Sequence, residues 1–351
     1  MATAIFWTAL ACIVYVYAGY PLLLVLWHRL GRRTIQKREC EPSVSLVIAM
    51  HNEAANVRAR LRNCMDLDYP PDKLQVIVSL DAPTDETEDL ARSCAESFGP
   101  ERIQVLSSPM RGGKAAAINR ALAVAQGDVV VFADARQRFD RRAVRALTAN
   151  LADPTVGAVS GELVLRDSRG EEASDGVGLY WRYEKSLRLM EANIHSVPGA
   201  TGAIYAVRRE LLEPLPEGTV LDDVLTPMRV MLKGKRVVFE PQARAFDKVN
   251  DSPNSEYIKK RRTLMGNYEL LTMLPQLLLP WRNPIFVQFV SHKLGRLLVP
   301  YCLAALLISN LFLRRGFYLV VLAGQALFYG LACAGWAFPP RNSHPEAEET
   351  A

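Results

Sequence analysis

Several long stretches of this chain carry no charge. Residues 1–27 contain no Asp, Glu, Lys or Arg, and neither does Leu297–Leu313 or Gly316–Pro340. About 20 apolar residues span a bilayer, so these runs exclude an ordinary soluble surface at either end. Other absences narrow the chemistry. The six cysteines have no CxxC spacing, which argues against structural zinc and a disulfide framework and places the catalytic region in a reducing compartment. A net charge of +5 is too small for a general polyanion binder, so no nucleic acid partner is expected. No internal repeat is present. The first predicted strand is followed by HNEAANV, without glycine, so a dinucleotide GxGxxG is missing. Gly113-Lys114 is followed by Ala115 instead of Ser or Thr, and the upstream glycine of a P-loop is absent.

The uncharged ends read as membrane segments. A cleaved signal peptide would want a positive start, a shorter apolar core and a small-residue cleavage site. The start MATAIFW and the length of the run favour a retained helix. Arg29, Arg32, Arg33, Lys37 and Arg38 follow with no acid among them, which puts this flank and the region after it in the cytoplasm. His292, Lys293 and Arg296 favour a cytoplasmic entry for the first C-terminal run. Arg314 and Arg315, between the two runs, oppose the positive-inside bias. Upstream, Pro275, Pro280 and Pro284 break an apolar stretch into interfacial pieces, with Trp281 at headgroup level. The division predicted is residues 1–38 for the first membrane helix and basic flank, and 39–274 for the cytoplasmic domain. Residues 275–340 form interfacial helices and a membrane hairpin, and 341–351 a disordered tail. The localisation expected is the cell's inner, cytoplasmic membrane, multi-pass, in contact with membrane lipids.

The middle alternates. Strands are predicted at Ser43–Met50, Gln75–Leu80, Ile103–Leu106 and Val129–Ala133. Helical patterns run between them, to about Met65, over Thr84–Phe98 and from Gly113 to about Gln126. That order argues an α/β fold with a mostly parallel sheet covered on both sides. In such a sheet the strands' carboxyl ends open onto the ligand crevice. Glu53, Asp81 and Asp134 would meet there, with Lys114 at a helix N-terminus suited to a diphosphate. Asp134 is a hard oxygen ligand, and one carboxylate plus substrate phosphates is how Mg²⁺ or Mn²⁺ is usually held. An Asp capping the next turn is the competing reading.

These residues resemble the membrane-bound family 2 glycosyltransferases over roughly Ser43 to His292. His51-Asn52-Glu53 matches the family's Tyr-Asn-Glu type motif, with His51 as the flat ring near the base. Asp81-Ala82-Pro83-Thr84-Asp85-Glu86-Thr87 matches its Asp-rich loop, Asp81 contacting uracil or ribose. Gly112, Gly113, Lys114 and Asn119 match a Gly-Gly-Lys…Asn pattern. Asp134 matches the first member of Asp-x-Asp, and Arg136 stands where the second often lies. Pro198–Ala203 looks like the acceptor-side loop, and a plain glycine-bearing turn is the alternative. Leu221-Asp222-Asp223 matches Thr-Glu-Asp, with Asp223 as the catalytic base and Asp222 orienting the loop or acceptor; two acids at a helix start are equally compatible. Lys259–Arg262 lies where polymer synthases carry Gln-x-x-Arg-Trp; Arg262 keeps the Arg, and Thr263 replaces the Trp. A basic cluster on anionic lipid is the alternative there.

The resemblance implies a GT-A fold with one N-terminal and about two C-terminal transmembrane helices. It implies inverting transfer of a sugar from a nucleotide-sugar donor, UDP-linked, to a lipid-linked or growing surface glycan. The donor would be held by His51, Glu53, Asp81, Lys114, Asp134, Arg136 and Arg262, with Mg²⁺ or Mn²⁺ on Asp134. A processive polysaccharide synthase and a non-catalytic nucleotide-sugar sensor are the rivals.

Overall fold

The computed structural model describes residues 1–166, 176–248, 253–313 and 315–337. Arg314 and the tail 341–351 lie outside them. Eight strands form one sheet in the order β3-β2-β1-β4-β7-β6-β8-β5. They are β1 (Val44–Met50), β2 (Leu74–Asp81), β3 (Ile103–Ser108), β4 (Val129–Ala133), β5 (Arg138–Phe139), β6 (Val156–Arg166), β7 (Ile204–Arg208) and β8 (Arg236–Lys248). β1 and β4 are apolar along nearly their whole length because helices cover both faces, and their residues are buried almost without exception.

β3, β2, β1 and β4 are mutually parallel, as the alternating pattern predicts. Their carboxyl ends carry Asn52–Glu53, Asp81 and Asp134 to one edge. Beyond β4 the sheet is mixed. β7 pairs antiparallel with β4, Ala133 opposite Ile204, and β6 pairs antiparallel with β7. The reversal has a purpose for the site: a strand running against β4 begins where β4 ends, so the loop Pro198–Ala203 before β7 enters the same crevice as Asp134.

Close backbone approach fixes the start of β4. A Cβ on Gly127 would lie 2.4 Å from the Ser45 amide nitrogen. The Gly127 amide donates to Ser45 Oγ at 2.9 Å, and Ser43 Oγ donates to Asp128 Oδ2 at 2.7 Å. At the other end Arg60 is buried, donating to the Gln137 carbonyl at 3.0 Å with its guanidinium 4.2 Å from the Phe139 ring centroid. Asn63 accepts from the Phe139 amide at 2.7 Å and donates to its carbonyl at 3.0 Å, acting as a side-chain substitute for a strand partner. The turn after Asp134 is therefore held from beneath.

Among the described residues three helices are long and apolar enough to cross a membrane: Ala2–Leu30, Phe286–Asn310 and Phe317–Gly335. The second begins earlier than the uncharged run at Leu297, because His292 and Arg296 find buried partners and need not be excluded from it. It contains a π turn at Phe289–Leu294, and the first helix contains one at Tyr15–Gly19. The two π turns lie side by side: a Cβ on Gly295 would sit 2.9 Å from Val16, and the Tyr15 and Ser291 hydroxyls are 2.7 Å apart. Farther along, Phe6 and Ala9 pack on Leu306, and Trp7 stacks on Phe317 with centroids 5.7 Å apart. The prolines upstream break the chain as expected, and Trp281 is exposed.

Gly127→Ala should force β1 and β4 apart where no flexible side chain can yield. A cost of about 1–3 kcal/mol is expected, lowering the melting temperature of the detergent-purified chain by roughly 3–10 °C. An unchanged fluorescence melt would show that the strands have room the geometry denies.

Candidate active site

Lys114, the second residue of the helix Gly113–Val124, is the centre of the crevice. Its ammonium lies 3.1 Å from Asp134 Oδ1 at the end of β4 and 3.2 Å from Asp222 Oδ1. Burial alone would make this lysine easier to deprotonate, but Asp222, Asp134 and Asp223 reverse that and hold it firmly protonated. Asp222 is buried and also accepts from the Tyr205 hydroxyl at 3.2 Å, while the Tyr205 ring stacks on Phe132, 4.5 Å between centroids. Asp222 therefore faces the lysine, not the outer side of the crevice.

Asp223 points elsewhere. Its neighbour Asp222 opens the helix Asp222–Leu232, where successive side chains diverge by about 100°. Its backbone carbonyl accepts from the Ala200 amide at 2.7 Å, and a Cβ on Gly202 would lie 2.8 Å from its Oδ2. The Pro198–Ala203 loop thus wraps this carboxylate, and a side chain at Gly202 would push the Asp223 carboxylate aside. Burial and the adjacent Asp222 push the Asp223 carboxyl up to about 6, with Lys114 and Lys293 pulling against them and Asp134 adding to the rise. Such a group is poised to take a proton near neutral pH. The loop is braced by Arg188, which donates to Thr201 Oγ1 at 2.7 Å and Ser160 Oγ at 2.8 Å.

The other end of the crevice is a set of interlocked loops. Both oxygens of the buried Asp81 carboxylate accept backbone amides, Gly112 and Gly113, each at 2.8 Å. Gly113 has φ +78°, a turn that favours glycine and delivers Lys114 to the crevice. His51 Nδ1 is 2.7 Å from the Asp81 carbonyl oxygen. Asn52 and Thr84 exchange two hydrogen bonds of 2.8 Å, and Glu53 accepts from Asn56 at 2.7 Å. His51, Glu53, Asp81, Lys114, Asp134 and Asp223 therefore share one edge. Arg136 is exposed beside Asp134, and Arg262 is exposed on the helix Pro253–Met273. No hydrogen bond or ion pair joins either arginine to the Lys114 cluster among the described residues. That helix instead packs Gly266 onto Leu221, and Glu269 accepts from the Val220 amide at 3.2 Å, just ahead of the two aspartates.

Among the described residues no three His, Cys, Asp or Glu side chains gather as a metal cluster. Lys114 occupies one Asp134 oxygen and the carboxylate is partly exposed. That suits an ion held by one carboxylate together with the phosphates of a ligand, the usual habit of Mg²⁺. Tyr205 and Arg188 were missed from the sequence: nothing in their local pattern separates them from ordinary strand and helix residues.

Residues 45–215 match the family described as glycosyl transferase family 2. The probable glycosyltransferase YdaM of Bacillus subtilis (strain 168) is 27% identical over 246 residues, 67% of this chain and 58% of that protein. The beta-monoglucosyldiacylglycerol synthase of Synechocystis sp. is 26% identical over 197 residues, 54% of this chain and 40% of that protein. The chain spans about half the length of these relatives. The mannosyltransferase PcManGT from Pyrobaculum calidifontis, solved with GDP-Man and Mn²⁺, superposes with a TM-score of 0.74 at 23% identity, covering 97% of this chain and 93% of that one. That likeness establishes the fold. Residues 45–215 are thus similar to family 2 glycosyltransferases, in a chain with a GT-A fold and, among the described residues, three candidate membrane helices.

Proposed function

We propose that this chain is a family 2 glycosyltransferase that moves a sugar, with inversion, from a UDP-linked donor to a lipid-linked or growing surface glycan. The observation that carries this reading is the division of labour between adjacent aspartates. Asp222 faces the lysine on the donor side, and Asp223 faces the loop before β7. Breaking the anomeric C–O bond leaves negative charge on a diphosphate, which Lys114 and the helix end behind it are placed to stabilise. Mg²⁺ or Mn²⁺ held by Asp134 would neutralise that charge further. Asp81 shapes the Gly112–Gly113 turn that presents Lys114, and His51 flanks the base. Arg136 and Arg262 belong to the donor site only if the bound nucleotide reaches them. The attacking hydroxyl loses its proton to Asp223 on the opposite side, so attack is in line and configuration inverts.

The basic flank at Arg29–Arg38 supports a cytoplasmic catalytic domain and C-terminus. Trp7 stacked on Phe317 puts the N-terminus and the start of the last helix at the same end, which in this reading is the outer side. A reporter fused after Ala351 should be active inside the cell; activity only outside would refute this orientation.

Asp223→Asn should bind UDP as the wild type does and transfer ~10²- to 10⁴-fold more slowly. In the wild type, transfer should fall as pH drops through about 6, because the protonated carboxyl cannot accept, and level off above it. A near wild-type rate in the mutant would place the base elsewhere. A polymer synthase would give long products in the same assay, and a sensor would give none.

Asp134→Asn should lose the part of UDP affinity that added Mg²⁺ or Mn²⁺ confers. Calorimetric titration with and without metal reads this directly, with GDP as competitor. Equal metal stimulation in both proteins would remove Asp134 from the ion.

A further inference from the structure

Where the first C-terminal membrane helix meets the catalytic domain, five charged side chains crowd together. His292 Nδ1 is 2.7 Å from Glu191 Oε1, and its Nε2 is 2.9 Å from Glu184 Oε1. Arg296 donates to Glu184 Oε2 at 2.8 Å, and Tyr20 donates to Glu191. Both glutamates belong to the helix Gly176–Ile194, which also carries Arg188 to the Pro198–Ala203 loop. These bonds fix the rotation of the membrane helix. They turn its next residue, Lys293, toward that loop: a Cβ on Gly199 would lie 3.6 Å from Lys293 Nζ. Gly199 has φ +123°, a conformation that favours glycine, so the loop leaves the ammonium uncrowded.

Lys293 is the unmatched cation of the group. It is half-buried, its charge acts on Asp223, and it makes no hydrogen bond or close ion pair among the described residues. Arg188, Arg296 and His292 all have partners. An ammonium has three donors and is costly to leave partly desolvated without an anion.

We infer that Lys293, with the loop Pro198–Ala203, forms a subsite for a phosphate group carried by the membrane-lipid acceptor. The subsite rests on the lipid-linked acceptor proposed above. Its position suits that ligand and no soluble anion. Lys293 stands near the start of a bilayer-length helix, where a lipid's headgroup lies when its tails are in the membrane. Asp223, on the helix Asp222–Leu232 that this loop packs against, is free to meet a hydroxyl on the glycan while the lysine holds the phosphate behind it.

The full chain in detergent would be titrated, with native mass spectrometry as readout, against geranylgeranyl phosphate, geranylgeraniol and inorganic phosphate, with UDP run in parallel. The wild type should bind the lipid phosphate roughly tenfold or more tighter than the alcohol, the range of a charge-assisted hydrogen bond. Lys293→Met should erase that preference, Lys293→Arg should keep most of it, and UDP affinity should stay constant throughout. Should Lys293→Met lose UDP as well, Lys293→Gln, which keeps length and polarity, replaces it. Equal binding of phosphate and alcohol, or a preference that survives loss of the charge, overturns the subsite. Displacement by inorganic phosphate at equal concentration overturns the lipid part. A wild type that binds no UDP counts against the transferase reading, and the lipid titrations still decide the subsite.

Discussion

One ammonium joins the two halves of the catalytic domain. Lys114 lies between Asp134, at the end of the parallel half of the sheet, and Asp222, which leads the helix behind the mixed half. Neither carboxylate could sit so near the other in a partly buried crevice without a cation between them. The glycine turn that presents Lys114 is held by Asp81, and the Asp222 carboxylate is held by Tyr205. The proposed donor and acceptor sides are thus positioned relative to each other by charge, with strand pairing as the frame.

The parallel half was legible because its strands are short apolar runs ending in acids, a pattern of period and punctuation that needs no tertiary knowledge. The same holds for Lys114, since a glycine pair before an Ala-rich helix marks a turn. The mixed half was not. β7 is as apolar as a parallel strand, and direction leaves no trace in a buried strand's composition. Arg60 and Arg188 were invisible for a different reason. A buried arginine is exceptional, so its role depends on partners from Gln137 or Thr201 that are distant in sequence. Arg262 is the opposite case: a motif match proposes it for the donor, and its side chain is exposed on a helix whose buried contact is Gly266.

The junction with the membrane helices is polar where hydropathy alone would make it apolar. Charges in such a place persist only when paired. Here Glu184 and Glu191 pair with His292 and Arg296, so the orientation of the membrane helices is coupled to the helix that braces the Pro198–Ala203 loop. The uncharged run from Leu297 was easy to see, and the helix's true start was hidden by these charges.

The π turn at Phe289–Leu294 gives that helix a change of phase. A π turn takes up one extra residue, so side chains before and after it are offset by about 100° from a continuous α-helical course. One unbroken rod can then satisfy two unrelated surroundings. Its first turns aim a charged face at the catalytic domain, and its later turns, after Leu297, fit the first helix through Leu306. The paired bulge at Tyr15–Gly19 makes the same adjustment in the neighbouring rod at the same depth. The two helices are indexed to each other like the teeth of a coupling, so a twist imposed at the bilayer would arrive at the Lys114 crevice as a rotation.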